Sequence, residues 1–442
     1  MSWEFVLKHY LKISGLLIIT GMLVLAIARC SGGGSDNNVG TAPSISNFSF
    51  SPTAVYVNEG GGQTSIIGNF DFYDADGNLK SAVLTVLNSG GSTVIIETID
   101  IANVSGLTTG TIQGSVTVST TVSGDYTVQI YVTDTAGLRS NTLEQGFLIS
   151  EFPWVSKTPM PTKQPGFSTA SINGLVYVIG GVDATSPVIP APAIDMVQVY
   201  NPATDKWSAG PSLPIAVSGP MTVSANGKIY AIGGMAGSFS TDITDSVQEF
   251  DPMTQMWTLK NDMPDQRVSA ATATRNGIIY IITGSGPGIE YDSLLWYDTT
   301  KDTWGAGSPM SSSRTGAGGA AINDNILVYG GYSSTHVPDA GYLRSLESYN
   351  PAMDTWMSKA DGQPRRGFGV TVFNNLMYVF GGSNWEGALD WADTYDSSKD
   401  QWISKTSMPL NLSSAHAETV GDKIYVFGTD ATLEYNSSND IK

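Results

Sequence analysis

The segments LVYVIGG (175–181) and YNPATDKW (200–207) decide the fold of this 442-residue chain, because both recur along it. The first is an apolar strand that ends in a glycine pair, and its copies are KIYAIGG (228–234), IIYIITG (278–284), ILVYGG (326–331), LMYVFGG (376–382) and KIYVFGT (423–429). Thr283 and Thr429 each replace one glycine of the pair. The second places an aromatic residue seven positions before a tryptophan, and its copies are FDPMTQMW (250–257), YDTTKDTW (297–304), YNPAMDTW (349–356) and YDSSKDQW (395–402). A period of about 40 to 50 residues indicates propeller blades or a solenoid.

The region 151–442 resembles the kelch repeat along its whole length, and this resemblance implies an all-β, six-bladed kelch-type β-propeller. The sixth copy has no tryptophan seven residues after Tyr435, whereas Trp154 in FPWVSKTPMP has no aromatic partner of its own. We therefore expect the strand around Trp154 to complete the sixth blade. Such a pairing closes the ring and removes an exposed sheet edge.

Residues 45–150 predict a separate β domain, because short segments with period-two alternation are separated by turn clusters such as NEGGGQ, DADGN and DTAG. The ending SGDYTVQIYVTDTAGLRS (123–140) resembles the last hairpin of bacterial immunoglobulin-like modules, with Tyr126 in the place of a tyrosine corner. The resemblance implies an immunoglobulin-like β-sandwich that acts as a spacer or adhesive module.

Four aspartates of this domain, Asp71, Asp74, Asp76 and Asp134, allow two interpretations. Carboxylates on a bend supply the oxygen ligands that Ca²⁺ prefers. The same residues also form Asx turns, in which the side chain bonds its own backbone. We predict no cofactor and assign no metal site, and calcium at these aspartates stays open.

The N-terminus predicts export. Residues 1–12 carry two lysines, and residues 13–28 form an apolar run with the length of a signal-peptide core. The following LAIARC and SGGGSDNN resemble a bacterial lipoprotein signal, which implies lipid attachment at Cys30 and a Gly/Ser-rich tether over 31–44. Arg29 departs from that pattern, and Ala26-Ile27-Ala28 fits ordinary cleavage, so free secretion and an uncleaved anchor over 1–30 remain open. All three place the chain in the cell envelope or outside the cell.

Charge and cysteine content exclude several functions. The chain has 40 acidic and 22 basic residues, a formal net charge of −18, and it would repel nucleic acid. It has one cysteine, Cys30, so the folded domains hold no cysteine nucleophile and no thiolate metal cluster.

Three consecutive repeats place an arginine just before the innermost strand: Arg267, Arg314 and Arg366. In kelch-type substrate adaptors, arginines at this position line the mouth of the propeller and hold acidic motifs. Local pairing of each arginine with an acidic loop residue is the alternative. Trp385 and Trp391 fall outside the repeat pattern in a loop after a glycine pair, where they either contact a sugar or peptide or pack beneath the loop.

These features predict a binding or adhesion scaffold for an envelope or extracellular protein or glycan, held to a membrane through its lipid anchor. The alternative is a periplasmic enzyme acting on an acidic sugar, similar to N-acetylneuraminate epimerase. In that alternative Glu386 accepts a proton and the three arginines bind the sugar carboxylate. His416 and Glu418, two residues apart on an inner strand, form either an acid–base pair or a satisfied polar pair.

Overall fold

The computed structural model describes residues 18–23, 40–57, 64–101, 104–119, 122–237, 242–336 and 338–441. The chain divides into two compact units, one up to Phe152 and one from Pro153 to Asp440. Cys30 and residues 31–39 of the tether expected over 31–44 lie outside the described residues. No helix in the described ranges has the length and apolar character needed to cross a membrane.

The described residues of the first unit form two sheets. One has the strand order β1-β7-β4-β2, and the other has the order β3-β9-β8-β5-β6. Every pairing is antiparallel except that of β3 with β9. The strands are β1 (Ile18–Leu23), β2 (Ser44–Ser51), β3 (Ala54–Tyr56), β4 (Thr64–Tyr73), β5 (Leu79–Asn88), β6 (Thr93–Asp100), β7 (Thr109–Ser119), β8 (Gly124–Asp134) and β9 (Leu143–Ser150).

The core of this unit lies between the two sheets, because the inward residues of both contribute to the same buried clusters. Phe70 and Ile112 from one sheet pack with Ala82 and Val132 from the other. The alternation along β8 is clear, since its buried and half-buried positions follow a period of two. The hydroxyl of Tyr126 donates to the carbonyl of Val122, 3.2 Å away and four residues upstream.

The described residues of the second unit form six four-stranded antiparallel sheets. Their strands, in sheet order, are β11 (Ser168–Ile172), β12 (Leu175–Ile179), β13 (Val197–Asn201) and β14 (Lys206–Ala209); β15 (Met221–Ala225), β16 (Lys228–Ile232), β17 (Val247–Asp251) and β18 (Met256–Leu259); β19 (Ala271–Arg275), β20 (Ile278–Ile282), β23 (Leu294–Asp298) and β24 (Thr303–Gly307); β25 (Gly318–Ile322), β26 (Asn325–Tyr329), β27 (Leu346–Asn350) and β28 (Thr355–Lys359); β29 (Gly369–Phe373), β30 (Leu376–Phe380), β33 (Ala392–Asp396) and β34 (Gln401–Ser404); and β35 (His416–Val420), β36 (Lys423–Gly428), β37 (Ala431–Tyr435) and β10 (Trp154–Lys157).

Short elements complete the second unit. They are the two-stranded hairpins β21 (Ser285–Gly286) with β22 (Ile289–Glu290) and β31 (Ser383–Asn384) with β32 (Gly387–Ala388), and the 3₁₀ helices η1 (Pro338–Gly341) and η2 (Ser437–Asn439). Both hairpins follow a glycine of the repeated apolar strand.

The repeated aromatic residue and its tryptophan face each other across the two outer strands of a sheet. Tyr200 pairs with Trp207 in register, and their ring centroids lie 5.0 Å apart. The same arrangement joins Tyr435 on β37 to Trp154 on β10, at 4.7 Å. Trp154 thus occupies in its sheet the position that the other tryptophans occupy in theirs.

The indole N–H of each of these six tryptophans donates to a backbone carbonyl that lies just after the outermost strand of the preceding sheet. The acceptor is always the carbonyl four residues after the preceding tryptophan. The bonds run from Trp207 to Thr158, Trp257 to Pro211, Trp304 to Asn261, Trp356 to Ser308, Trp402 to Ala360 and Trp154 to Thr406. Because the last bond leads from β10, the first strand of the second unit, back to the last repeat, the six bonds form a closed cycle.

Candidate functional site

The glycines that end the apolar strands bond the loop before the innermost strand of the next sheet, and each bonds the same position of that loop. The backbone N–H of Gly331 donates to the carbonyl of Arg365, just as that of Gly234 donates to Arg267 and that of Gly284 to Arg314. A β-carbon at Gly233 would lie 2.3 Å from the carbonyl oxygen of Arg267, so only glycine fits there. Arg365, and not Arg366, is therefore the repeat equivalent of Arg267 and Arg314. The sequence did not reveal this shift of one residue, because Arg365 and Arg366 are adjacent and precede the same glycine, Gly367.

The three equivalent arginines are buried within the sheets. The exposed fraction is 0% for Arg267, 1% for Arg314 and 0% for Arg365. Each guanidinium donates to the carbonyl that ends the apolar strand of its own sheet, at Thr283, Gly330 and Gly381.

Each of these guanidinium groups also has an acidic partner close by. Arg267 pairs with Asp265 at 2.7 Å, Arg314 with Glu347 at 2.9 Å, and Arg365 with Asp393. Burial lowers the pKa of Arg314, and Glu347 opposes that shift. Arg267 thus pairs with an aspartate two residues before it, whereas Arg314 pairs with a glutamate on strand β27 of its own sheet.

Trp391 belongs to the same buried arrangement. Its ring centroid lies 5.4 Å from the guanidinium carbon of Arg365, and its carbonyl accepts the N–H of Gly381 at 2.8 Å. A cation over an aromatic face is attracted to it. Trp391 therefore packs beneath its loop against an arginine that the sequence analysis had not selected.

Arg366 and Trp385, in contrast, come together at the surface. The guanidinium carbon of Arg366 lies 5.0 Å from the ring centroid of Tyr332 and 5.7 Å from that of Tyr342. Tyr342 in turn lies 6.3 Å from Trp385, whose exposed fraction is 50%. We refer to Arg366, Tyr332, Tyr342 and Trp385 as the rim cluster.

The rim cluster lies at one end of an axial channel. Arg366 directly precedes Gly367, which borders the channel, and its backbone pairs with Ser383 in the loop that carries Trp385. Sequence analysis missed Tyr332 and Tyr342. The sequence feature that could have pointed to them is that both lie in the long insertion after Gly330-Gly331.

The channel has a volume of about 610 Å³ and is lined by the innermost strands, which are rich in Gly, Ala, Ser and Thr. His416 and Glu418 also line it. Glu418 accepts a 2.8 Å hydrogen bond from the hydroxyl of Thr169, and its burial raises the pKa of its carboxyl group. Burial lowers the pKa of His416 to about 4, and its ring lies 4.8 Å from that of Phe167. A neutral imidazole at pH 7 follows from that pKa.

Glu386 is exposed beside Trp385, and its backbone N–H donates to the side chain of Asn384 at 2.8 Å. It is the acidic residue that follows the rim cluster most directly in the chain. The three repeat arginines cannot join it on a substrate carboxylate while they remain buried in their sheets.

In the first unit, the four aspartates do not act as one group. Asp71 accepts from Asn47 and Thr111, whereas Asp76 accepts from the N–H of Thr41. Asp74 bonds the N–H of Asn78 and Asp134 bonds that of Leu138, both at 2.8 Å, as in Asx turns. Within the described ranges, no three His, Cys, Asp or Glu side chains are grouped so that they could hold a metal ion.

Comparison with known proteins agrees with the repeat pattern. The chain is 29% identical over 256 residues to Kelch-like protein terF of Aspergillus terreus, covering 53% of each protein. It is 24% identical over 268 residues to Kelch-like protein 36 of Bos taurus, covering 60% of this chain and 35% of that protein. The matched regions thus span between about a third and a half of these curated relatives. The solved structure titled "Structure of YjhT" aligns with a TM-score of 0.49 and 18% identity, over 63% of this chain and 94% of that one.

Residues 176–432, more than half of the chain, match the family model described as the Attractin/LZTR1 β-propeller. The match covers most of the six sheets and all of the glycine strands from the first to the last copy. The chain therefore belongs to the Attractin/LZTR1 β-propeller family and is a kelch-repeat β-propeller protein.

Proposed function

We propose that this protein is an exported binding protein whose propeller presents the rim cluster to an acidic glycan of the cell envelope or surroundings. The observation that carries the proposal is that the half-exposed Trp385 and the exposed Arg366 both contact the ring of Tyr342 at the mouth of the channel. The repeat arginines Arg267, Arg314 and Arg365 are bonded inside their sheets. Arg366, which follows Arg365, is the one of these four arginines that is available to a ligand.

The chemistry of the rim cluster suits a sugar that carries a carboxylate. An aromatic face packs against the C–H groups of a sugar ring and offers large contact area at low entropic cost. A guanidinium binds a carboxylate through two parallel hydrogen bonds. The rings of Tyr332 and Tyr342 hold the Arg366 guanidinium in place before binding, which lowers the cost of ordering it.

The remaining architecture fits presentation of such a site. We propose that the six sheets are the blades of one propeller, with the pairing of β10 and β37 closing the ring. The first unit serves as an immunoglobulin-like spacer, a role supported by its two-sheet core and by the Tyr126 bond. The segment 1–30 directs export, and lipid attachment at Cys30 holds the protein to a membrane.

Binding without turnover is the expected behaviour. An enzyme acting on an acidic sugar, the alternative function, would use Glu386 as proton acceptor next to the same rim cluster. The engagement of Arg267, Arg314 and Arg365 with Asp265, Glu347 and Asp393 leaves that alternative with one arginine, Arg366, for the substrate carboxylate.

The test is a glycan-array and titration experiment with the full chain and two variants, Trp385→Ala and Arg366→Gln. We expect selective retention of carboxylated glycans, with a loss of about tenfold in affinity for either variant, since each removes a central contact. Binding by the parent should weaken as salt is raised, and Arg366→Gln should weaken that salt dependence.

Two control variants are matched to these changes. Arg275→Gln removes an arginine at the far end of an innermost strand, paired with Asp324, and Met353→Ala removes an exposed apolar side chain in an outer turn. Neither should alter affinity. Preference for acidic peptides over glycans would replace the glycan with a protein ligand. Turnover of a sialic acid that is lost in Glu386→Gln would reject the binding function in favour of the enzyme.

A further inference from the structure

Two buried carboxylates meet at one end of the first unit. Asp74 follows β4 and has an exposed fraction of 0%, and Asp134 ends β8 with an exposed fraction of 1%. Asp134 pairs with Leu79 in the sheet, and the N–H of Thr135 donates to the carbonyl of Asn78 at 3.1 Å. The turns 74–78 and 134–138 therefore lie side by side.

The hydrogen bonds at these turns leave oxygen atoms without donors. Asp74 accepts from the N–H groups of Asn78 and Asp76, at 2.8 and 3.4 Å, and Asp134 accepts through one oxygen from the N–H of Leu138 at 2.8 Å. The other oxygen of Asp134, Oδ2, is buried and has no partner, and the same holds for Oδ1 of Asn78. Two oxygen acceptors from adjacent turns are thus buried without any hydrogen to bind.

The negative charge at this point is also uncompensated. None of the ion pairs that lysine and arginine make in the described part of the chain involves Asp74 or Asp134. Buried charges are normally paired or bound to a metal, because an isolated one costs several kcal/mol of desolvation free energy.

We propose that a calcium ion binds between the turns 74–78 and 134–138, held by Asp74, Asp134 and the side-chain oxygen of Asn78. All three ligands are hard oxygen donors, and Ca²⁺ tolerates the irregular geometry of two turns better than Mg²⁺ does. Asp71 is held elsewhere by Asn47 and Thr111. With only two carboxylates, we expect a dissociation constant of about 10⁻⁴ to 10⁻³ M, the range of extracellular modules.

The experiment uses the full chain, with calorimetric melting in EDTA and in a hundredfold excess of CaCl₂ over the dissociation constant measured by titration. We expect one transition to move upward by about 10 °C or more, because a ligand that binds only the folded state stabilises it. Asp134→Asn should abolish the shift. Asp71→Asn is the matched control, since it makes the same charge change nearby, and it should retain the shift.

A second comparison removes the ambiguity of a variant that folds poorly. In EDTA, Asp134→Asn should melt above the parent, because it removes an uncompensated buried charge; in CaCl₂ the order should reverse. A parent that shows no shift at about 100 mM CaCl₂, a hundredfold excess over the weakest expected dissociation constant, overturns the proposal. So does a variant that melts below the parent in EDTA. An equal response to MgCl₂ overturns the assignment to calcium.

Discussion

One residue of register separates two arginines with different roles. Arg365 is buried, pairs with Asp393 and supports the carbonyl of Gly381, whereas Arg366 is exposed among the rings of Tyr332 and Tyr342. Sequence alone could not separate them, because both precede the same glycine. The distinction depends on which carbonyl accepts the N–H of Gly331 in the neighbouring sheet, a contact between distant parts of the chain.

His416 predicts a pH dependence of stability. Its folded pKa of about 4 lies below the ordinary value of 6.5, so the unfolded chain takes up a proton first as pH falls. The stabilisation is complete above pH 6.5 and is lost between 6.5 and about 4, by up to about 3 kcal/mol. Urea unfolding of the parent and of His416→Gln across this range should show the steeper loss in the parent. Parallel curves would contradict it.

The outer strands of a sheet are joined to the preceding sheet by a hydrogen-bonded pair of a tyrosine and an aspartate, a link that the sequence did not reveal. Five of the repeated tyrosines donate their hydroxyl to an aspartate five residues later, and that carboxylate also accepts a backbone N–H from the preceding sheet; the tyrosines are Tyr200, Tyr297, Tyr349, Tyr395 and Tyr435. The spacing Tyr-x₄-Asp was visible in the sequence. The role of this spacing in joining two sheets was not visible, because the backbone N–H that the aspartate accepts lies about 40 residues away in the sequence.

This element predicts the effect of Asp302→Ala. Asp302 accepts from the hydroxyl of Tyr297 at 2.6 Å and from the N–H of Asn261 at 2.9 Å, and the variant leaves both donors without it. We expect the free energy of unfolding to fall by about 1 to 3 kcal/mol. Gln255 holds the same repeat position beside Phe250, which has no hydroxyl; its side chain donates to the carbonyl of Pro252 at 2.8 Å and also bonds Tyr177. Gln255→Ala removes no charge and should cost less than Asp302→Ala, about 1 kcal/mol. Equal losses in denaturant melts would show that the bridge contributes nothing.

At the scale of the molecule, the repeat was predictable because the glycine strand and the aromatic–tryptophan pair are local patterns repeated in order. The partners of the arginines, the rim cluster and the unpaired oxygens of Asp134 and Asn78 were not, since each joins loops that are far apart in sequence. Trp385 and Trp391 illustrate why the sequence could not predict these contacts. They are six residues apart in one loop, yet one is half exposed and the other packs against Arg365.

Trp154 carries the prediction for the whole propeller. It is 5% exposed, packs on Tyr435 and Phe380, and donates to the carbonyl of Thr406. Trp154→Ala should lower the free energy of unfolding by about 3 to 5 kcal/mol, the cost of removing a buried aromatic side chain. Trp304→Ala, at the equivalent position of a half-buried tryptophan, should cost less. An equal loss of unfolding free energy for Trp304→Ala, measured by guanidinium unfolding, would show that the deeper burial of Trp154 adds no stability.

The pairing of β10 with β37 also determines how the propeller responds to mechanical load. Trp154 begins β10 and lies opposite Tyr435 at the end of β37, so the chain enters and leaves the propeller at the same end of one strand pair. A pull applied to the residues before Trp154 and after Tyr435 would separate the backbone bonds of this pair one at a time from that end, as in unzipping, instead of shearing them together. The packing of Trp154 on Tyr435 lies at that end, so it is among the first contacts that such a pull must break.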